Sequence, residues 1–408
     1  MRKWFLFLFM PYLLFSQEVK VELGIDRFFK EDYSKLLFGK RVGLLTNPSG
    51  VTSSLQPTLQ LFFEKEKGFQ ITALFAPEHG IDGKSYAGEE VENRFYKDKI
   101  PLYSLHGKTR RPTKEMLQKV DVIVFDIQDI GVRSYTFAST LFYVMEEAAK
   151  AKISVIVLDR PNPLGGLLVD GPMLQEKFRS FVGYINVPYC HGMTIGELAT
   201  FFNEEYRIGC DLQVVPMRGW TREMAFSETG LLWIPTSPQI PEEDTPLFYA
   251  TTGLLGELDV VNIGVGYTLP FKVVGAPWID ADRFAKTLNE QKIDGVSFTP
   301  IHYRPFFGSL RAIDCHGVQI HITNQATYRP LKVQAFLLGI LKSLYPERVE
   351  KLLHQVKEEK RSLFYKVCGN DQMFKLLLQE KFISWKLCNF QKDERDAFQK
   401  KRAKYLLY

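Results

Sequence analysis

The sequence predicts an α/β protein: a parallel sheet covered by helices on both faces, followed by a smaller α+β domain. Three observations lead there. Apolar runs of strand length alternate with helical patterns from Arg41 to about Val215, which is the signature of a parallel sheet. Three of those runs are each followed at once by a short polar cluster. After a Pro- and Gly-rich stretch at 234–256 the alternation stops and the pattern changes.

The first strand, Arg41–Thr46, ends in the turn Asn47-Pro48-Ser49-Gly50. A helix over 58–67 leads to a strand at 69–75. A long loop, 76–99, precedes a short strand at 100–105 and a short helix at 114–119. The run 120–127 is the most apolar strand. Helix 136–152 carries Leu141, Val144, Met145 and Ala148 at helical spacing on one side. Strand 153–158 follows, and Thr194-Ile195-Gly196-Glu197 has the spacing of a capping box opening another helix. Beyond the boundary, helices near 281–291 and 330–344 and strands near 296–302 and 317–323 suggest the second domain. The tail from Arg348 reads as charged helix, with Lys400-Lys401-Arg402 on a solvated face. The divisions are thus 1–16, 17–245 and 246–408.

Arg2-Lys3 followed by the apolar stretch Trp4–Phe15 resembles a secretory signal peptide, too short for a comfortable membrane span. It predicts export to a periplasmic or extracellular location, with no stable membrane insertion once removed. Of the formal charge of +5, two units come from Arg2 and Lys3. The remainder gives no electrostatic case for nucleic acid or membrane surfaces as partners. Five scattered cysteines with no CxxC pair argue against a disulfide framework and against structural zinc.

Several chemistries are excluded by what the loops lack. No GxGxxG follows the first strand and no GxxxxGK[ST] occurs, so no nucleotide cofactor is expected. No GxSxG nucleophile elbow occurs either. His316 and His321 lie five apart on a probable strand and so on opposite faces, which denies them a shared metal. No metal or other cofactor is predicted.

In an open parallel sheet the loops at the carboxyl ends of the strands meet along one rim, where ligands bind. The three polar clusters fall on that rim. Pro77-Glu78-His79-Gly80 offers Glu78 as the sharpest catalytic candidate: burial in a cleft should raise its pKa and suit it to general acid work. The loop after it carries Glu89 and other acids, with Gly83 and Gly88 as hinges for a lid. The second cluster supplies Asp126, Gln128, Asp129 and Arg133, with Tyr135 as an aromatic face. The third, Asp159-Arg160-Pro161-Asn162-Pro163, is stiffened by two prolines. His191 and Thr194 stand just before a helix start, whose N–H groups favour anions. Carboxylates, amide and guanidinium donors and aromatic platforms without a cofactor loop fit glycoside hydrolysis, which needs one proton donor and one nucleophile or base. A periplasmic ligand-binding protein would use similar groups.

Leu74–Gly80, Ala87-Gly88-Glu89, Val124–Tyr135, Leu158–Leu164 and His191–Leu198 together resemble the NamZ family of exo-β-N-acetylmuramidases, as do 39–47, 275–278 and 315–323. The resemblance implies a Rossmann-like N-terminal domain that binds no dinucleotide, a smaller C-terminal domain and an active site between them. It implies release of N-acetylmuramic acid from the non-reducing end of peptidoglycan fragments, with a non-catalytic binder of cell-wall sugar, or an amidase or esterase acting on wall decorations, as the alternatives. The family's proposed catalytic glutamate falls on Glu78, with Glu89 and Asp129 as candidates for its partner. Arg133, Arg160 and the helix start at Thr194 are the expected pocket for the lactyl carboxylate, and His79, Asp126, Gln128, Tyr135, Asp159, Asn162 and His191 the other expected contacts.

Overall fold

The computed structural model describes residues 21–408, so the signal-peptide reading of 1–16 lies outside the described residues. A seven-stranded sheet is built from β1 (Arg41–Thr46), β2 (Gln70–Ala76), β3 (Arg94–Tyr96), β4 (Ile100–Ser104), β5 (Val122–Asp126), β6 (Ser154–Leu158) and, after the two-stranded ladder of β7 (Asp170–Met173) with β8 (Pro188–Cys190), β9 (Leu212–Val215). The order is β3-β4-β2-β1-β5-β6-β9. All neighbours run parallel except the edge strand β3. The chain builds outward from β1 to one side, then returns to its other side with β5. The switch point therefore lies between the carboxyl ends of β1 and β5. Strand β5 is buried along its whole length, as expected for a strand covered on both faces.

Helices α1 (Gly24–Lys30), α2 (Thr58–Glu64), α3 (Lys114–Leu117), α4 (Thr136–Ala151) and α5 (Ile195–Glu205) accompany this sheet. The capping box at Thr194 forms: its hydroxyl accepts from the Glu197 N–H and its own N–H donates to the Glu197 carboxylate. The C-terminal part opens with α6 (Thr245–Glu257) and contains the antiparallel sheet β10 (Val273–Ala276), β12 (Cys315–Ile322), β11 (Val296–Tyr303), in that spatial order. Helices α7 (Ala281–Glu290), α8 (Pro330–Leu344), α9 (Pro346–Gln355), α10 (Glu358–Cys368), α11 (Gln372–Gln379), α12 (Ser384–Cys388) and α13 (Lys392–Arg402) complete it.

Two elements depart from expectation. The stretch 234–256, read as an irregular boundary, contains most of α6. This helix is buried on nearly every side, so no amphipathic stripe betrays it, and Pro246 sits in the first turn, where a missing N–H costs nothing. The supposedly solvated basic run is also wrong in part. Lys400 and Lys401 are exposed, but Arg402 is buried. It donates to the carbonyls of Gly166 (3.1 Å), His191 (3.2 Å) and Gly192.

The chain's end is therefore packed into the parallel-sheet unit. Tyr408 donates its hydroxyl proton to Asp159 Oδ2 (2.7 Å) and accepts from the Met217 N–H (2.8 Å). The Leu407 N–H reaches Glu197 Oε1 at 2.8 Å. One continuous apolar cluster contains Leu45 and Phe125 of the sheet together with Leu254, Phe284, Leu337 and Phe364 of the C-terminal helices. Replacing Tyr408 by Phe should leave the buried Asp159 short of a donor and the Met217 N–H without an acceptor. We expect a cost of about 1–3 kcal/mol, read as a lower urea midpoint at unchanged m-value.

Candidate active site

Strand β2 delivers the chain to Pro77 and then into a tight turn. His79 takes a left-handed φ of 70° and Gly80 one of 77°. Glycine adopts that backbone freely and histidine does not, so His79 is held there by its surroundings. Its Nδ1 pairs with the Ser85 carbonyl at 2.8 Å, and the Ser85 N–H returns to the His79 carbonyl at 3.3 Å. The loop read as a lid is thus tied back onto the turn that precedes it.

Glu78 is nearly buried, and both its oxygens have donors. Oε1 accepts from the Gly88 N–H (2.9 Å) and Oε2 from the Thr136 hydroxyl (2.6 Å) at the start of α4. The imidazole of His106 stands 3.7 Å from Oε1. Burial pushes the Glu78 carboxyl up, but His106, Thr136, Gly88 and His79 outweigh it and hold the pKa below the ordinary glutamate range. Burial in turn pulls His106 below the usual imidazole range, against the opposing pull of Glu78. The Thr136 hydroxyl and the Gly88 amide favour the ionised form of Glu78 whatever charge His106 carries. This corrects the expectation of a raised pKa and a resting acid: Glu78 is a carboxylate.

Asp129 is the opposite case. It lies three residues past the end of β5, is buried, and takes one hydrogen bond at Oδ2 from the Gly131 N–H (2.8 Å). Its Oδ1 has no partner. Burial pushes this carboxyl up to about 7, opposed only by the N–H groups of Gly131 and Ile130. Gly131 (φ 79°) is obligatory, because a Cβ there would lie 2.1 Å from Asn162 Oδ1. The two carboxyls share a neighbour in Tyr249 of α6. Burial raises its phenol pKa, and the charges of Glu78 and Asp129 both raise it further. The Tyr249 hydroxyl pairs with Ser134 Oγ at 3.0 Å, and its ring meets Tyr135 edge-on. The Tyr135 hydroxyl pairs with Thr236 at 2.8 Å.

The other predicted contacts are structural in this fold. Asp126 and Arg160 pair with each other, 0% and 3% exposed, at 2.7 and 2.8 Å. The cavity beside them at the switch point measures only about 20 Å³, lined by Ser49, Thr52, Gln128 and Arg160 among others, roughly room for one water. Gln128 spends its amide on the carbonyls of Asp129 and Pro161, both at 2.7 Å. Arg133 donates to four carbonyls, of Pro172, Val187, Val367 and Cys368, the last two at the C-terminus of α10, where a cation is favoured. Asp159 accepts from Thr194, the Gly196 N–H and Tyr408. The helix start expected to bind a ligand anion already holds this internal one. Asn162 bonds the Met193 carbonyl and the Leu164 N–H. His191 is buried, and burial followed by the charges of Arg402 and Arg133 pulls it down to about 3. Glu89 is exposed and caps its own loop through the Tyr86 N–H (2.8 Å). Arg133 spends both Nη groups on backbone carbonyls while its Nε is buried without a partner, Arg160 spends Nε and Nη2 on Asp126 and Val51, and Thr194 gives its hydroxyl proton to Asp159 and its N–H to Glu197.

His106, Thr136 and Tyr249 were not anticipated. His106 directly follows the strand-like run 100–105, so the rim rule that selected the other clusters would have found it. Thr136 and Tyr249 carry no local signal. Among the described residues, no three His, Cys, Asp or Glu side chains are grouped to hold a metal.

The rim of a doubly covered parallel sheet here sets a carboxylate held below its ordinary range, Glu78, and a carboxyl pushed up to about 7, Asp129, near a shared tyrosine, a pairing of the kind acid–base hydrolases use. The family model "Exo-beta-N-acetylmuramidase NamZ, N-terminal" matches residues 42–244, and its C-terminal counterpart matches 247–408. The chain belongs to the NamZ exo-β-N-acetylmuramidase family. It is 40% identical over 394 residues to the peptidoglycan β-N-acetylmuramidase NamZ of Bacillus subtilis (strain 168), covering 96% of this chain and 92% of the relative. A crystal structure of a DUF1343 family protein from Bacteroides fragilis NCTC 9343 superposes with a TM-score of 0.89 at 39% identity, covering 96% of this chain and 99% of that one. A second protein of that family and organism gives 0.70 at 26% identity, over 95% and 99%.

The raised Asp129 pKa has a consequence for stability. Between the unfolded value near 4 and about 7, the folded state holds a proton that the unfolded state has lost. Stability contributed by this group therefore falls as pH rises through that window and stays low above it. Asp129→Asn, which removes the ionisation, should unfold at a higher temperature than the parent at pH 8. The advantage, about 2–4 kcal/mol at most, should vanish by pH 4.

Proposed function

We propose that this protein is an exo-β-N-acetylmuramidase, hydrolysing the glycosidic bond that links N-acetylmuramic acid at the non-reducing end of peptidoglycan fragments. The observation that carries the mechanism is the opposite protonation of Glu78 and Asp129. With its pKa pushed up to about 7, Asp129 still carries a proton in about half of the molecules at neutral pH, and its Oδ1 is buried without a partner among the described residues, free to donate to a glycosidic oxygen that reaches it. When that C–O bond breaks, the proton goes to the leaving sugar and positive charge grows at the anomeric carbon. Glu78, ionised and fixed by Gly88 and Thr136, meets that charge as nucleophile or as the base that deprotonates water. Glu89, exposed and turned into its own loop, is the weaker partner. Tyr249 borders both carboxyls and offers a partly accessible ring to the sugar.

The muramic carboxylate requires a cation, and Arg110 supplies one. Its guanidinium lies over the Phe181 ring at 4.4 Å, no carboxylate pairs with it among the described residues, and its charge is felt at His106, which adjoins Glu78. Export, supported by the basic and then apolar composition of 2–15, would place the enzyme in a compartment where wall fragments are available.

The decisive experiment is product analysis on a muramic acid–glucosamine disaccharide. Free N-acetylmuramic acid and a new reducing end support the reading. Binding without cleavage, or release of acyl groups alone, overturns it. Glu78→Gln should abolish turnover with the fold intact. Asp129→Asn should lose about 10²–10⁴-fold on the disaccharide, much less on a nitrophenyl muramide, whose leaving group needs no proton. It should also lose the alkaline limb of the pH–rate profile near 7. Arg110→Ala should raise KM at least several-fold for a muramide, leaving any residual activity on the matching glucosaminide, which lacks the carboxylate, unchanged.

A further inference from the structure

A second cleft, of about 290 Å³, lies between β7, the start of α8 and the α12–α13 segment, and shares no residue with the acid–base centre. Its volume corresponds to roughly ten waters, enough for a small organic molecule. Two of its lining residues carry opposite charges that do not pair. Asp170 is met only by backbone N–H groups, of Gly171 (2.8 Å) and Leu331. Arg395 is 9% exposed, and its Nη1 is used on the carbonyls of Phe390 and Gly171. Its Nε and Nη2 donate to no atom among the described residues. The two groups are near enough for the Arg395 charge to act on Asp170, after the larger effect of burial, yet they form no ion pair.

Holding a carboxylate and a guanidinium in one recess without an ion pair leaves each charge short of an opposite partner, and a ligand that bridges the two would supply one to each. The remaining charges at the rim do not supply it. Lys332 pairs with Asp294 (3.4 Å), Lys392 with Asp396 (3.6 Å), and Arg329 donates to the Ala326 and Tyr328 carbonyls. A ligand that satisfies both groups has an ammonium for Asp170 and a carboxylate for Arg395. We infer that this cleft binds a small zwitterion, a free α-amino acid or a dipeptide, through Asp170 and Arg395.

Cys388 lines the cleft and is the one cysteine of five that is not fully buried, which makes it a built-in reporter. Alkylation of Cys388 by iodoacetamide, followed by mass spectrometry on the full chain, should slow several-fold and saturably with glycine, L- or D-alanine or alanyl-alanine. Which of these protects at the lowest concentration separates the amino acid from the dipeptide. N-acetylalanine and alaninamide, each lacking one charge, should need at least tenfold more. Calorimetric titration should give the same ranking. Asp170→Asn and Arg395→Lys should each raise the half-protecting concentration about ten- to hundred-fold. Arg395→Lys also disturbs two carbonyl contacts, so the near-isosteric Asp170→Asn decides if that variant misfolds. The inference is overturned if no zwitterion protects or gives heat, if the single-charge controls do equally well, or if Asp170→Asn binds as the parent does.

Discussion

The buried pair of Asp126 and Arg160 sets the geometry on which the site depends. Arg160, just past β6, grips both oxygens of Asp126 at the end of β5 and reaches the Val51 carbonyl after β1 at 2.7 Å, while Thr58 donates to the same carboxylate. Three strand ends are pinned by one guanidinium. Burying two charges is expensive, and the pair adds little net stability over apolar packing, but losing one partner would cost about 3–5 kcal/mol. What the pair provides is register at the switch point. Pro161, fixed beside Arg160, offers its carbonyl to Gln128, whose amide also binds the Asp129 carbonyl. The loop that carries Asp129 is therefore located by a buried ion pair.

Burial alone does not decide what a carboxyl does. Glu78 and Asp129 are 9% and 6% exposed, so each pays a desolvation penalty, and the donors around them make the difference. Glu78 has a hydroxyl on one oxygen and an amide on the other. Asp129 has one oxygen satisfied and one bare, and the penalty wins. A bare buried oxygen is a fault in a structure selected for stability alone and a requirement in a general acid. The left-handed backbone at His79 is a second local cost on the same rim.

Most of the parallel sheet was legible because its strands obey a short rule: buried on both faces, they are continuous apolar runs of strand length. Thr136–Ala151 and the Thr194 capping box were legible for equally local reasons. Helix α6 was not, since a helix buried all round has no period to detect, and with it went Tyr249. The rim rule gathered the right loops but did not sort their side chains. Asp126, Asp159 and Arg160 carry the same residue types as a ligand site, and only the positions of their partners reveal that each is already satisfied. Glu78 was found from its position, and its ionisation was misjudged because the donors lie ten and fifty-eight residues away.

The two family-matched segments meet at 244–247, but the packing does not divide there. Helix α6 brings Tyr249 against Ser134 and Tyr135 of the sheet unit. Arg133 of the sheet unit holds the end of α10, and Arg402 with Tyr408 returns to the loops after β6 and β8. These contacts run in both directions across the boundary and share one apolar cluster. Separating the segments would cost Arg133 its two α10 carbonyls and Asp159 its Tyr408 donor, leaving each buried group with part of its hydrogen bonding unmet. The sheet rim, Tyr249 and the segment that carries Arg402 and Tyr408 are thus packed as one unit.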